Sequence, residues 1–199
     1  MKHVFLKGQN EKTLLLLHGT GGNEEDLIPL AKHLDHEANI LSVRGNVLEY
    51  GMPRFFKRLA MGVFDMESLA LETENLYQFL LDSSNNYQFD KNQVTVVGYS
   101  NGANIALSTL FTYQRPFEKA ILFHPMIPRR DLELPKMRGL DIFIGAGTND
   151  QMVQVSETEE LQDILAKQGA CVKLNWTNQG HQLNKDEILA AKHWYDQLK

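Results

Sequence analysis

Cysteine is almost missing from this 199-residue chain: only Cys171 is present. A single thiol makes no disulfide within a chain, which excludes a disulfide-stapled secreted scaffold. Long apolar runs are missing too, and no window approaches the roughly 18 continuous apolar residues that a membrane span needs. The amino end, MKHVFLKGQNEK, carries an apolar patch of four residues before polar ones resume, too short for the apolar region of a signal peptide. These shortages point to the cytoplasm and to no membrane partner. Basic blocks are equally scarce. The nearest, RFFKR at 54–58, lies in a chain of formal net charge −5, and that balance argues against nucleic acid as a partner. Repeats and low-complexity tracts are absent.

What is present is a globular composition, 43% hydrophobic and 23% charged, in a chain long enough to bury a layered core as one domain over 1–199. Apolar runs of strand length fall at 3–6, 13–17, 39–43, 93–97, 119–123, 140–144 and 171–176. They are continuous rather than alternating, the pattern of strands covered on both faces. Segments of helical spacing lie between most of them. Asn23 precedes EEDLIPLAKHL; residues 65–84 and 101–113 read as helices; Ser156 and Glu159 form a capping box ahead of LQDILAKQ; Asn184 and Glu187 open the last amphipathic segment. This alternation predicts an α/β fold with a mostly parallel central sheet of about seven strands, helices on both faces and no lid domain. In such sheets ligands lie beyond the carboxyl ends of the strands, so chemistry is sought in the residues that follow them.

The stretch VTVVGYSNGANIAL, 94–107, ends a β-branched run in Gly98-Tyr99-Ser100-Asn101-Gly102 and then takes up helical spacing. A serine on so tight a strand-to-helix turn has its hydroxyl pushed out above the sheet, and flanking glycines leave room for the neighbouring backbone. The helix start favours a developing negative charge. Ser100 is therefore the candidate nucleophile. Upstream, LLLLHGTGGNEEDL runs a strand into His18-Gly19-Thr20-Gly21-Gly22. With little side chain to shield it, the backbone of this loop, Gly19 included, can approach a substrate closely, and the Thr20 and Asn101 N–H groups are the expected oxyanion donors. A phosphate cradle is the competing reading, but the loop lacks the G-K-[ST] ending and carries acidic residues where phosphate would sit.

Two further loops complete the chemistry. In GAGTNDQMV, 145–153, Asp150 follows a strand's carboxyl end, whereas Asp141 starts the same strand at the opposite edge. In NQGHQLN, 178–184, His181 follows the strand CVKLNW, where a general base belongs. Of the other histidines, His33 and His36 on the first helix, His193 on the last and His3 in the first strand read as structural or solvated, and His18 shapes its loop. His124 ends the strand KAILF at the functional edge and reads as lining the pocket. The segment 45–65, GNVLEYGMPRFFKRLAMGVFD, follows a strand at that edge. Phe55 and Phe56, with Met61 and Phe64, either wall the substrate pocket or anchor the loop to the core, and Arg54 or Arg58 offers charge to an anionic group. Cys171 reads as a small core residue, and no metal-ligand cluster is evident.

The order Ser100, Asp150, His181 is that of the α/β-hydrolase fold. On HGTGGNE, RGNVLEYGMPRFFKR, VVGYSNGAN, GAGTND and QGH, the whole chain resembles the lidless carboxylesterase/phospholipase family, relatives of acyl-protein thioesterases. The likeness is strongest to Firmicute hydrolases described as hydroquinone-specific or metal-stress-inducible. The resemblance implies hydrolysis of small or singly acylated esters by a Ser-His-Asp triad, without cofactor or metal, and a homodimer as in relatives. Asn101 stands where the thioesterases carry glutamine, which counts against protein depalmitoylation and leaves ester hydrolysis intact. The alternative is a noncatalytic or weakly catalytic binder of aromatic, quinone-like molecules in a stress response.

Overall fold

The computed structural model of the protein describes residues 1–198. Seven strands form the central sheet: β1 (His3–Leu6), β2 (Thr13–Leu17), β3 (Asn39–Val43), β8 (Val94–Tyr99), β9 (Lys119–Phe123), β10 (Asp141–Gly147) and β11 (Cys171–Thr177). Their order is β1-β3-β2-β8-β9-β10-β11. Only β1 pairs antiparallel, against β3; every other pair in this sheet is parallel. The inner strands are mostly apolar because both of their faces are covered: every residue of β2, β3 and β9 is buried.

Five helices supply the cover: α1 (Ile28–Leu34), α2 (Met66–Tyr87), α3 (Asn101–Thr112), α4 (Val155–Lys167) and α5 (Lys185–Gln197). Leu69, Leu76 and Leu80 of α2, Ile105 and Leu110 of α3, and Leu161 and Leu165 of α4 share one core cluster. Leu30 and Leu34 of α1 join Ala191 and Tyr195 of α5 in the cluster on the other face. Helix α3 is buried on almost every side, and its Ser108 hydroxyl lies 2.7 Å from Thr73 Oγ1 of α2. The helix behind Ser100 is thereby packed into the core and tied to α2.

Several local expectations change. Helix α1 begins at Ile28 rather than just after Asn23, and Pro29 lies in its first turn, where its missing N–H is harmless. It ends at Leu34, so His36 is outside it. The Ser156–Glu159 box does not form: α4 starts at Val155, with Gln154 as an N-cap that makes no side-chain bond. The Asn184–Glu187 box does form at α5. Cys171 is exposed rather than in the core, because β11 is the edge strand of the sheet. Residues 47–64 hold two small hairpins, β4 (Val47–Glu49) with β5 (Met52–Arg54) and β6 (Arg58–Ala60) with β7 (Val63–Phe64), each a separate two-stranded sheet.

Candidate active site

Ser100 sits between β8 and α3 with φ 51° and ψ −113°, a left-handed backbone that side chains rarely adopt. It is held there from both sides: its N–H donates to Phe123 O at 2.9 Å and its carbonyl accepts from Asn104 N–H at 2.9 Å. The flanking glycines are sterically required. A Cβ on Gly98 would lie 2.7 Å from Ala103 Cα, and one on Gly102 only 2.0 Å from Leu17 O.

Beyond the carboxyl ends of β10 and β11, two loops bring Asp150 and His181 together. Thr148 N–H donates to Thr177 O at 2.9 Å and Asn149 N–H to Gln179 O at 3.1 Å, while Asn149 Nδ2 donates to Asn178 Oδ1 at 2.7 Å. Ser100 Oγ lies 2.7 Å from His181 Nε2, and His181 Nδ1 lies 2.7 Å from Asp150 Oδ2. The other oxygen, Oδ1, accepts from Met152 N–H at 2.8 Å and Val153 N–H at 3.1 Å. Burial by itself would raise the Asp150 carboxyl, but the Met152 N–H, His181 and the Val153 N–H outweigh it and hold its pKa below the ordinary carboxylate value. An ionised Asp150 accepts Nδ1–H of His181, which leaves Nε2 free to accept from the Ser100 hydroxyl. Tyr99 O–H donates to His181 O at 2.8 Å and steadies its backbone.

The glycine loop faces this chain. His18 is buried, which lowers its pKa. Its Nε2 accepts from Gly45 N–H at 3.1 Å, so Nδ1 carries the proton and donates to Gly19 O at 2.6 Å. Gly19 admits no side chain, since a Cβ there would lie 2.8 Å from the Tyr99 ring. Gly21 N–H donates to Pro53 O at 2.9 Å, and Arg54 Nη1 donates to Thr20 Oγ1 at 2.8 Å. The β4–β5 hairpin thus braces the loop. A cleft of about 420 Å³ opens beside it, lined by Gly19, Thr20, Gly21, Asp26, Tyr99 and Leu183 among others.

Three residues expected against the substrate lie elsewhere. Phe55 and Phe56 are 0% exposed and belong to the core, so for these two the anchor reading holds, whereas Met61 is exposed. Phe55 N–H is also tied to Asn101 Oδ1 at 2.7 Å. His124 is sealed beneath the site, where its ring bonds Asp150 rather than facing solvent. Arg54 and Arg58 both turn to Glu49, Arg58 at 2.9 Å and Arg54 at 3.4 Å. His124, Asp150 and His181 bring donor atoms within 4.8 Å of one another, a proximity that their mutual hydrogen bonds already require. Sequence reasoning missed Glu187 as a site neighbour. It contacts His124 from α5, but in the sequence it carries only the signature of a helix cap.

A parallel sheet wound with helices on both faces, with a strained serine on its elbow, defines the α/β-hydrolase class. Comparison with known proteins narrows it. Residues 4–198 match the model of the phospholipase/carboxylesterase family. The chain is 50% identical to the MhqD protein of Bacillus subtilis (strain 168) over 195 residues, 98% of each chain. Among solved structures, the Bacillus cereus carboxylesterase superposes with a TM-score of 0.98 at 53% identity, covering 100% of this chain and 95% of that one. YahD, solved with malic acid, superposes with a TM-score of 0.95 at 33% identity, covering 100% and 99%. The chain belongs to the phospholipase/carboxylesterase family of α/β-hydrolases.

Proposed function

We propose that the protein is a serine esterase that cleaves carboxylic esters of small or singly acylated substrates through an acyl-enzyme. The reading is carried by one observation, the unbroken chain of 2.7 Å contacts from Ser100 Oγ through His181 to Asp150 Oδ2. His181 Nε2 takes the hydroxyl proton as Oγ attacks the ester carbonyl, and Asp150 stabilises the imidazolium that forms. The oxyanion rests on the N–H groups of Thr20 and Asn101, and removal of one such donor costs roughly 3–4 kcal/mol of transition-state stabilisation. The imidazolium then protonates the departing alcohol. Water, activated by the same nitrogen, releases the acid and restores Ser100.

The substrate class follows from what surrounds the loop. Leu27, Tyr99 and Leu183 line the cleft, and Met52 lies beside Gly21, its Sδ 3.6 Å from where a Cβ would stand there. Such side chains favour an apolar acyl or alcohol group, and a cleft of about 420 Å³ favours short ones. The test is hydrolysis of p-nitrophenyl esters from acetate to octanoate by the wild type and Ser100→Ala in parallel. The expected result is activity on the shorter esters that disappears with the hydroxyl. Equal rates in the two proteins, or no fluorophosphonate label on Ser100, would end this reading.

A further inference from the structure

His124 ends β9 with φ 51° and its side chain is 0% exposed. Both ring nitrogens face carboxylates. Nδ1 lies 3.2 Å from Asp150 Oδ2, and Nε2 lies 3.2 Å from Oε1 and 3.3 Å from Oε2 of Glu187. The Glu187 side chain is 0% exposed and that of Asp150 2%. Two buried carboxylates therefore lie on either side of one buried imidazole. The His181 ring is 5.2 Å away between centroids, and the Tyr99 ring meets His124 edge-on at 6.1 Å. These are the titratable groups that face it.

Helix capping explains only part of this. Glu187 Oε2 accepts from Asn184 N–H at 3.3 Å, and Oε1 accepts from Thr177 Oγ1 at 3.5 Å. A capping carboxylate works equally well at the surface, whereas complete burial of an unpaired carboxylate is strongly unfavourable. The partner that makes this burial tolerable is His124. An ionised carboxylate accepts hydrogen bonds and does not donate them. For both contacts to be hydrogen bonds, the pair must hold one proton more than a neutral ring beside an ionised Glu187. Either the ring is protonated on both nitrogens, or Glu187 is neutral and donates to Nε2. In both states the pair is net neutral, and Nδ1–H of His124 is directed at Asp150.

We propose that His124 and Glu187 are a positioning pair for the esterase reaction: the buried proton they share keeps His124 Nδ1–H donated to Asp150 Oδ2 and fixes that oxygen in front of His181. The inference rests on the esterase reading. With this bond in place, Asp150 Oδ2 accepts two imidazole N–H groups and Oδ1 two backbone N–H groups, so the carboxylate is anchored at both oxygens. A second donor on Oδ2 also moderates its basicity, which keeps the proton on His181 when the imidazolium forms.

The experiment compares two double variants that are both neutral at the pair: His124→Asn with Glu187→Gln, and His124→Leu with Glu187→Gln. Asparagine tolerates the positive φ and keeps an N–H near the position of Nδ1; leucine removes it. Hydrolysis of p-nitrophenyl butyrate is followed against pH beside the wild type and Ser100→Ala, with melting temperatures recorded. The asparagine variant is expected to stay within about fivefold of wild-type kcat and to keep the wild-type acid limb. The leucine variant is expected to lose roughly 10- to 100-fold in kcat, the range set by loss of a hydrogen bond to a charged group, with KM unchanged. Its acid limb moves upward, because an Asp150 with one donor fewer holds the His181 proton more tightly. Identical kcat and acid limb in the two variants would overturn the pair's role while the Ser100 dependence stood. Activity in Ser100→Ala would instead remove the esterase reading beneath it. If the leucine variant does not fold, nitrogen-15 NMR of histidine-labelled wild type under the assay conditions decides: a proton on Nδ1 of His124 is expected, and an unprotonated Nδ1 refutes the proposal.

Discussion

The positive φ of Ser100 is held by what surrounds it. β8 and β9 run parallel, the Phe123 carbonyl captures Ser100 N–H, and glycine at 98 and 102 lets α3 approach the end of β2. Gly102→Ala places a Cβ 2.0 Å from Leu17 O, and because the obstacle is backbone the elbow must shift. We expect a loss of about 1–3 kcal/mol or more, read by chemical denaturation, together with loss of esterase activity. Asp150→Asn should leave the fold in place, since an amide oxygen can still accept from Met152 and Val153. It should cut kcat by up to about 10⁴-fold, because the amide cannot hold His181 in the required tautomer; steady-state kinetics checks this. Ser100, Asp150 and His181 were legible at this scale because each closes a recognisable strand-to-loop junction in a fixed chain order. The place of Phe55 and Phe56 was not, since an aromatic in a loop reads the same whether it faces substrate or core.

At the level of elements, the two boxes at the starts of α4 and α5 make a useful contrast. Asn184 accepts from Glu187 N–H, and Glu187 reaches back to Asn184 N–H. Removing the cap with Asn184→Ala should cost about 1 kcal/mol, or roughly 2–4 °C in melting temperature for a chain of this size. Ser156→Ala should change stability by no more than about 0.5 kcal/mol, since α4 is already helical at Val155; thermal melts of both variants check the pair. The hairpin β4–β5 turns through Tyr50 and Gly51, both with positive φ, 51° and 80°, as a tight hairpin turn demands. The sequence concealed it because tyrosine is a poor signal for that position. With Tyr50 97% exposed, Tyr50→Asn should raise the melting temperature slightly, and a fall would contradict the turn assignment.

Across the whole molecule, acid sensitivity should trace partly to Glu24, which is buried between Lys2 at 3.0 Å and the Arg44 guanidinium. It links the chain start, the segment after the glycine loop and the end of β3. Burial would raise its carboxyl, but its own backbone N–H, Lys2 and Arg44 bring its pKa down to about 2. A depressed carboxylate pKa contributes stability that is fully present above the unfolded value of about 4.5 and is lost as pH falls toward about 2. Glu24→Gln should therefore be less stable at neutral pH and less sensitive to acid across that window, as measured by denaturation at successive pH values. An unchanged pH slope would show that the ion pairs hold Glu24 equally in the unfolded chain.

Local pattern by itself pointed to the seven sheet strands, to helices between most of them and to the three loops that hold Ser100, Asp150 and His181, but not to the strand order or to where α1 begins. Continuous apolar runs as short as these, bounded by turn residues, are best satisfied by strands covered on both faces, and the G-x-S-x-G turn is a local geometry. Tertiary structure alone decided what lies behind the site. His124 and Glu187 are 63 residues apart and meet only because α5 packs on one face of the sheet with its first turn beside the carboxyl end of β10, and Arg54 reaches Thr20 across 34 residues. Burial turns a cap residue and a strand-end histidine into partners of Asp150, and burial depends on the packing of distant segments, which no local pattern encodes.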